Sequence, residues 1–401
     1  MIDSLMRSRI GTCMETAFIV ASILFVVDSA IAPAAQEFPT PTAASVESTG
    51  HLVYDTKRDG CDNYDVPDAP ARAFRDSQGM IHFFATSSAN RAMIGRNFGQ
   101  LKRVCDVVYR GNHDPRPWAY SDYSWLTGFY ADGNIVYGLI HNEFHGHERP
   151  ELCPSRNYGR CWENSITAAI SHDGGYHFER LDDGTNTIAI LPYKYKGDQE
   201  GLVGYLNPTS ILKHDNFYYA MFTAIDRVHP DRSGVCVIRT SSLGDPRSWR
   251  AWNGQSFDTR FINPYKTEIL DTLAHTCQPV GKDRLFFSLG SLLWKPDERR
   301  FLLLMRFQRW DKPSHGETPG AYISMSANMI DWSAPVLILS DEQAQSEPPS
   351  TPQLYPSLID PDASSSNFDS FTRNGLLFTM TTGPEDGYGS WKLWSREVHF
   401  R

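Results

Sequence analysis

Several common signatures of enzyme chemistry are missing from this sequence. It contains no glycine-rich phosphate loop, no dinucleotide-binding fingerprint and no nucleophile elbow, so nucleotide-dependent chemistry has no support. No two cysteines have the Cys-x-x-Cys spacing of a zinc or redox site. Positive charge is also short, because 38 Lys and Arg face 47 Asp and Glu, for a formal net charge of −9. This balance disfavours nucleic acid or an anionic membrane surface as the main partner.

The composition favours a globular protein built from strands. Hydrophobic residues make up 41% of the 401 residues, which excludes a disordered or collagen-like chain. The 29 Gly and 25 Pro, together with 12% aromatic residues, are typical of many short strands joined by tight turns. We therefore expect an all-β fold.

The N-terminus has the pattern of a secretory signal peptide. Arg7 and Arg9 precede an apolar run over residues 17–27, and small residues suited to cleavage follow at Ala30 and Ala32. The apolar run is shorter than the roughly 20 residues of a spanning helix, so a membrane anchor is the weaker interpretation. We expect a signal peptide over residues 1–35, a flexible linker over residues 36–50 and a secreted or periplasmic protein without a stable membrane span.

Six cysteines remain after removal of the signal peptide, and an even number suits an oxidising compartment. Closeness in sequence alone predicts three disulfides. The predicted pairs are Cys61 with Cys105, Cys153 with Cys161, and Cys236 with Cys277.

A hairpin returns five times along the chain at intervals of about 50 to 70 residues. Each copy consists of two β-rich runs across a polar turn. Several copies are followed by a strand ending in Ser, a polar turn and an aromatic residue, as in Ser171 to Phe178, a motif whose expected role is structural. The paired runs are residues 71–74 with 81–85, 125–130 with 135–140, 209–212 with 217–222, 289–294 with 301–305, and 354–359 with 376–381.

These repeats predict one five-bladed β-propeller over residues 51–401. A six-bladed, sialidase-like propeller is the main alternative, and the repeat period argues against a β-sandwich. The last repeat lacks a fourth strand after residues 391–400, so residues near 52–55 are expected to supply it and close the ring.

The segment from Asp68 to Phe84 resembles the first blade of five-bladed propeller glycoside hydrolases of the arabinanase, β-xylosidase and fructosidase type. An Asp and a Pro precede a strand, an acidic turn ending in Gly, and an aromatic strand. The turn from Ser171 to Phe178 resembles the Asp-box of sialidases. The resemblance implies a propeller fold and hydrolysis of O-glycosyl bonds. One departure is that Asn207 and Pro208 stand where the third blade of those hydrolases would carry an acid.

In a propeller, the start of the first strand of each blade and the end of the second lie on the same rim. This geometry brings Asp68 together with the segment from His141 to Pro150, which holds three His and two Glu. Two carboxylates on either side of a glycosidic bond are sufficient for its hydrolysis. We assign the base or nucleophile to Asp68 and the acid to Glu143, with Glu200 as a displaced third acid.

The same rim supplies candidates for sugar binding. Aromatic rings stack on sugar faces, and polar side chains bond the hydroxyls. The candidates are Arg72, Trp125, His141, His145, Asn207, Arg306 and Tyr355. A metal site built from the histidines of this segment and Glu143 is a weaker alternative, and a structural calcium ion bound by Asp360, Asp362 and Asp369 is a further one.

The leading hypothesis is a monomeric secreted glycoside hydrolase that needs no cofactor and acts on a carbohydrate. The alternative is a propeller that binds carbohydrate or protein without catalysis. Fold alone does not separate these two, because propellers carry many functions.

Overall fold

The computed structural model describes residues 44–181, 186–282, 284–308, 317–344, 354–382 and 391–400. The predicted signal peptide lies outside this part of the chain. Nearly all the regular structure is β, with one short helix, α1 (Thr56–Asp59), and several single 3₁₀ turns. No helix in the described ranges is both long and apolar enough to cross a membrane.

The strands are β1 (Ala44–Val46), β2 (His51–Asp55), β3 (Arg72–Arg75), β4 (Ile81–Phe84), β5 (Ala89–Asn90), β6 (Met93–Gly95), β7 (Lys102–Arg103), β8 (Tyr109–Arg110), β9 (Tyr123–Asp132), β10 (Ile135–His145), β11 (Trp162–Ser171), β12 (Glu179–Arg180), β13 (Thr187–Ala189), β14 (Val203–Leu206), β15 (Leu212–His214), β16 (Phe217–Ile225), β17 (Gly234–Thr240), β18 (Arg250–Trp252), β19 (Phe257–Thr259), β20 (Ser288–Lys295), β21 (Arg300–Phe307), β22 (Gly320–Ser326), β23 (Val336–Ser340), β24 (Leu354–Ile359), β25 (Asn374–Thr381) and β26 (Lys392–Phe400).

The strands pair into five successive antiparallel meanders. Meander 1 is β3-β4-β6-β7, and meander 2 is β9-β10-β11 with β12 and β13 on its outer edge. Meander 3 is β16-β17-β18-β19 with β14 and β15 on the inner side of β16, and meander 4 is β20-β21-β22-β23. Meander 5 is β24-β25-β26. Four of the five predicted hairpins are present with nearly their predicted strands, and the third is present with a different inner strand.

The first part of the chain closes the last meander. Strand β2 pairs antiparallel with β26, with His51 opposite Ser395 and Asp55 opposite Lys392, as the sequence predicts. Strand β1 also pairs with β26, although its residues fall in the predicted flexible linker. The exposed edge of β26 explains this difference, because an unpaired strand edge offers hydrogen-bonding groups to any extended segment nearby.

Apolar clusters fill the space between neighbouring meanders. One cluster joins Phe84 of meander 1 to Phe129 of meander 2, and another joins Phe378 of meander 5 back to Phe83 of meander 1. Fully burying such a side chain stabilises the fold by roughly 1.5–3 kcal/mol. The all-β propeller class is confirmed, and the count of five blades stays a prediction that these meanders support.

The Ser-to-aromatic turn has the structural role that the sequence predicts. The Ser171 hydroxyl accepts a hydrogen bond from the Gly175 amide, and the Asp173 carboxylate accepts from the Tyr176 and His177 amides. Gly175 has a φ of 101°, which only glycine adopts without strain. All three predicted disulfides are also present.

The third hairpin differs from its prediction at its inner strand. Residues 207–211, which begin with Asn207 and Pro208, separate β14 from β15, so that only Leu212 of the predicted run over residues 209–212 lies in a strand. Proline has no amide hydrogen to donate to the ladder, and Asn207 has a φ of 46° in the left-handed region. These two residues therefore interrupt the strand.

Candidate active site

A cleft of about 620 Å³ opens between meanders 1, 2 and 5. Its walls come from the segment before β3, the start of β9, the end of β10 and the start of β24. This is the rim at which the predicted geometry places the strand starts and ends. The cleft is lined by Tyr64, Val66, Asp68, Ser87, Ser88, Tyr123, Trp125, Glu143, His145, His147, Glu148, Tyr158, Trp162 and Tyr355.

The segment that carries Asp68 is held in place from below. The buried Asp65 carboxylate accepts a hydrogen bond from the Cys61 amide at 3.1 Å and lies 3.3 Å from the guanidinium of Arg103. The disulfide between Cys61 and Cys105 ties the same segment to the far end of meander 1. These contacts fix the backbone that presents Asp68 to the cleft.

Asp68 is the acidic group with the most strongly altered protonation in the cleft. The Tyr355 hydroxyl donates a hydrogen bond to its Oδ1 at 3.3 Å, which favours the charged form. Burial and the negative charge of Glu143 act in the opposite direction and dominate, so they raise the pKa of Asp68 to about 8. Asp68 therefore carries a proton at neutral pH.

Tyr355 has an unusual backbone as well as this contact. Its φ of 49° lies in the left-handed region, which is rare for a bulky residue. The pairing of β24 with β25 shifts register at the same point, between Leu354 and Ser357. Such local strain persists only where the surrounding structure enforces it, and it is common at functional sites.

Glu143 lies on the opposite wall and contacts two histidines. Its Oε2 is 2.8 Å from Nε2 of His145, and its Oε1 is 3.9 Å from Nε2 of His141. The His145 ring stacks on Tyr123 with ring centres 4.3 Å apart, and its Nδ1 is 3.9 Å from Glu148. The ring of His145 thus lies between two carboxylates and holds Glu143 in one orientation.

The outer wall is the loop between β10 and β11, which carries Tyr158 and ends at Trp162. Two guanidinium nitrogens of Arg149 donate to the buried Asp122 carboxylate, each at 2.9 Å. The disulfide between Cys153 and Cys161 closes the loop next to Trp162. The rings of Tyr158 and Trp162 pack together with centres 4.8 Å apart. This wall offers the cleft a fixed aromatic surface.

The structure brings five of the predicted site residues together and places the others elsewhere. Asp68, Trp125, Glu143, His145 and Tyr355 all line the cleft. The remaining five lie outside it: Glu200, Arg72, His141, Asn207 and Arg306.

His141 and Asn207 form a layer behind Glu143. His141 is 3% exposed, and its Nε2 contacts Asn164 Oδ1 at 2.9 Å. Burial lowers the pKa of His141, while a hydrogen bond with Asn207 opposes that shift. His141 thus lies beside Glu143, and neither His141 nor Asn207 lines the described cleft.

Arg72 corrects the sequence-based assignment most clearly. Its guanidinium is buried and donates to the carbonyls of Thr127, Pro208 and Gly290, as well as to its own neighbour Ala71 and to the Ser357 hydroxyl. These five partners belong to five different meanders. Arg72 therefore joins the inner strands to one another, and it does not line the described cleft.

Arg306 and Glu200 are also corrected. The buried guanidinium of Arg306 makes two hydrogen bonds to the Asp341 carboxylate, at 2.7 and 2.8 Å, and Arg306 does not line the cleft. Glu200 is exposed to solvent and does not line the cleft. In the described residues, meanders 3 and 4 contribute no side chain to the cleft.

Two of the three aspartates considered for calcium have other partners for their carboxylates. Asp360 accepts hydrogen bonds from the amides of Asp362 and Thr372, and Asp369 accepts one from the Lys213 amide. Within the described ranges, the one group of at least three potential ligand atoms lying close together is Cys153, Cys161 and Asp198. Both sulfurs of that group belong to a disulfide.

Sequence reasoning missed several residues of the cleft. Trp162 pairs directly with His145 across β11 and β10, so both side chains lie on the same face. That register is not readable from either strand alone. The missed residues are Tyr64, Val66, Ser87, Ser88, Tyr123, Tyr158 and Trp162, together with Asp122 beneath the outer wall. His147 and Glu148 lie in the segment from His141 to Pro150, which the sequence analysis already places at this rim.

Comparison with solved structures finds a similar fold in several glycoside hydrolases. Zg3597, a family 117 glycoside hydrolase of the marine bacterium Zobellia galactanivorans, matches with a TM-score of 0.51 and 9% identity over 90% of this chain and 92% of that one. A GH62 hydrolase in complex with xylotriose matches with a TM-score of 0.46 and 10% identity, over 90% and 98% of the two chains. The α-L-arabinanase of Cellvibrio cellulosa bound to arabinohexaose matches with a TM-score of 0.45 and 9% identity, over 82% of this chain and 90% of that one. Neither protein-family models nor curated protein sequences gave a match.

At these identities the comparison supports a shared fold only, and the evidence for that fold is the match to the family 117 enzyme. The chain is an all-β propeller of the kind found in glycoside hydrolases, as its first-blade motif suggests. The three disulfides are consistent with an oxidising compartment.

Proposed function

We propose that this chain is a secreted glycosidase whose propeller, residues 51–401, follows a cleaved signal peptide. The observation that carries the proposal is the pair of carboxyl groups, Asp68 and Glu143, which line one aromatic-walled cleft, where the charge of Glu143 helps to raise the pKa of Asp68. Two carboxyl groups, one of them with a raised pKa, are the usual groups of glycoside hydrolysis. Carbohydrate is the proposed substrate.

The electrostatics favour a division of roles opposite to the one drawn from sequence. Asp68 is protonated at neutral pH and is the proton donor to the glycosidic oxygen, because burial and Glu143 raise its pKa to about 8. Glu143 is the base or nucleophile, and the contact of 2.8 Å between its Oε2 and Nε2 of His145 fixes its orientation. In this scheme the proton of Asp68 leaves with the released alcohol. Water supplies the hydroxyl group of the new sugar end. Its other proton goes to Glu143 when Glu143 acts as the base, or to the ionised Asp68 when Glu143 acts as the nucleophile and water then breaks its bond to the sugar.

The charge of the cleft favours an uncharged sugar. The described lining contains Asp68, Glu143 and Glu148 but no Lys or Arg. A sugar carboxylate or sulfate needs a cationic partner when it leaves water, and here it would meet carboxylates instead. The faces of Trp125 and Trp162 suit the apolar face of a neutral sugar ring.

Hydrolysis of aryl glycosides tests the proposal directly. Purified mature chain is incubated with arabinofuranosides, xylosides, galactosides, fructosides and sialosides, and release of the phenol is measured. We expect turnover of at least one neutral glycoside and none of the sialosides. Turnover of a sialoside alone would contradict the charge argument. No turnover of any member by folded protein with intact disulfides would count against the enzyme.

The pH dependence of turnover follows from the raised pKa of Asp68. A proton donor is active below its pKa, so kcat/KM is expected to fall as pH rises through about 8. Tyr355→Phe removes a hydrogen bond that favours ionised Asp68. The alkaline limb should therefore move to higher pH, by up to about one unit.

Tyr64→Phe is the matched control, since Tyr64 lines the cleft but its hydroxyl is not among the groups that shift Asp68. It should leave the alkaline limb in place. A limb that moves to lower pH in Tyr355→Phe would contradict the assignment of Asp68 as the proton donor.

A carbohydrate-binding protein without catalysis is the second candidate. The observation in its favour is that no carboxyl group of meander 3 lines the described cleft, where Asn207 supports His141 instead. Such a protein would bind sugars without hydrolysing them, and Glu143→Gln would leave its affinity for them unchanged.

A further inference from the structure

A second pocket of about 340 Å³ lies on the outer side of meanders 2 and 3. Its walls come from β13, from the 3₁₀ turn before β18, and from the segment that follows β19. It shares no residue with the cleft. Its volume falls at the lower end of the roughly 300–1,000 Å³ that small-molecule sites occupy.

The floor of this pocket is apolar and rigid. Ile188 and Trp249 are each 3% exposed and belong to the core cluster between meanders 2 and 3. Phe261 packs against the same cluster from the side. Trp249 is the aromatic residue of one of the repeated Ser-to-aromatic motifs, so the local fold fixes its position. A flat apolar group would find a preformed surface here.

The rim of the pocket is cationic in an otherwise acidic chain. Arg247, Arg260 and Lys266 line the pocket, and no Asp or Glu does within the described lining. Arg247 is paired with Asp245 outside the pocket, at 3.1 Å. The guanidinium of Arg260 has no hydrogen bond or ion pair among the described residues.

A fourth cation strengthens the positive potential. Arg250 donates to the backbone carbonyls of Arg247 and Trp249, at 2.7 and 2.8 Å, which places it at the edge of the pocket. Burial lowers the pKa of Arg250, and the charge of Arg260 lowers it further, while Asp245 and Asp258 partly oppose that effect. The pocket and its edge thus carry four cationic side chains, and no carboxylate is among the residues that line the pocket.

We infer that this pocket binds a small organic anion, with a planar apolar body against Trp249 and Phe261 and its anionic group between Arg260 and Lys266. The inference does not depend on the proposed glycosidase activity, because the two sites share no residue. An anion gains from the cationic rim, and its apolar body gains from the floor, so neither part alone should bind as well.

Calorimetry with a matched pair of probes tests this inference on the full mature protein. Naphthalene-2-sulfonate carries the charge, and naphthalene-2-sulfonamide has nearly the same shape without it. We expect the sulfonate to bind at one site and more tightly than the sulfonamide, and added salt should weaken the sulfonate only. Equal binding of the two probes, or no binding of the sulfonate, would overturn the inference.

Variants locate the binding. The double substitution Arg260→Gln with Lys266→Gln should weaken sulfonate binding by about three- to tenfold, as expected for two solvated ion pairs, and leave the sulfonamide unchanged. Arg110→Gln, at an exposed arginine outside the pocket, should change neither. Sulfonate binding that responds to Glu143→Gln and not to the double substitution would place the ligand in the cleft and refute the inference.

Discussion

Glu143→Gln is expected to abolish glycoside turnover while leaving sugar binding nearly intact. The amide keeps the shape of the side chain and its contact with His145, but it can neither accept a proton from water nor attack carbon. Loss of one positioned acid or base lowers rates by about 10²- to 10⁴-fold. The rate is measured on the glycoside that the wild-type chain hydrolyses best, and binding is measured by quenching of tryptophan fluorescence, since Trp125 and Trp162 line the cleft.

Asp68→Asn should cause a loss of the same order, because it removes the proton that the leaving oxygen needs. Substrates whose leaving group is already a weak base should be affected less, since they need little protonation. Glu148→Gln is the matched control within the cleft, and Glu200→Gln is the control outside it. Both should retain turnover within a few-fold of wild type.

Two outcomes would contradict this assignment. If Glu148→Gln were as damaging as Glu143→Gln, the outer glutamate would carry the chemistry and Glu143 would only orient His145. If turnover were absent in the wild type and Asp68→Asn with Glu143→Gln bound sugar unchanged, the non-catalytic alternative would be supported.

The positions of Asp68 and Glu143 at one rim could be predicted because, in a propeller, the place of a residue along its strand determines the rim at which it lies. Asp68 precedes the first strand of its meander and Glu143 ends the second strand of the next, so both reach one rim whatever the side chains between them do. The strand pairing that this requires is local, since β9 and β10 form a hairpin. Local patterns are what a single sequence shows most clearly.

Residue type alone misled the prediction where the partner was distant in the chain. Asn207 lies near the rim by position, but its contact is His141, which belongs to another meander. Arg306 has a carboxylate partner in Asp341, 35 residues later. The pattern of residues within one strand does not reveal a partner that lies far away in the chain. From sequence alone, a charged residue at a strand end therefore fits a ligand contact as well as it fits a structural ion pair.

A buried carboxyl group is not sufficient to mark the site either. Burial raises the pKa of Glu163 to about 8, the same value as for Asp68. Glu163 pairs with Phe144 across β10, however, and therefore faces away from Glu143 and the cleft. Desolvation is the only cause of its shift, whereas Asp68 also feels a second carboxylate. The pairing of two acids distinguishes the candidate site.

Arg72→Leu is expected to lower the free energy of unfolding by about 3–5 kcal/mol, the largest stability effect that the structure predicts. The substitution leaves the carbonyls of Thr127, Pro208 and Gly290 without their donor in a region that water does not reach freely. Each orphaned group costs about 1–3 kcal/mol, and partial relaxation reduces the sum. Unfolding by guanidinium chloride with the disulfides intact measures the change.

Arg72→Lys separates charge from geometry. Lysine keeps the positive charge, but its single ammonium group cannot reach five partners that surround a planar guanidinium. Its destabilisation should therefore be large, although smaller than that of leucine, and Arg110→Leu at an exposed arginine should be nearly neutral. If Arg72→Lys instead unfolded like wild type and raised KM without changing kcat, Arg72 would contact the substrate, as its position in the first strand suggests. Unchanged KM in the folded fraction would confirm that this arginine stabilises the ring of meanders, and that the chemistry belongs to the rim above it.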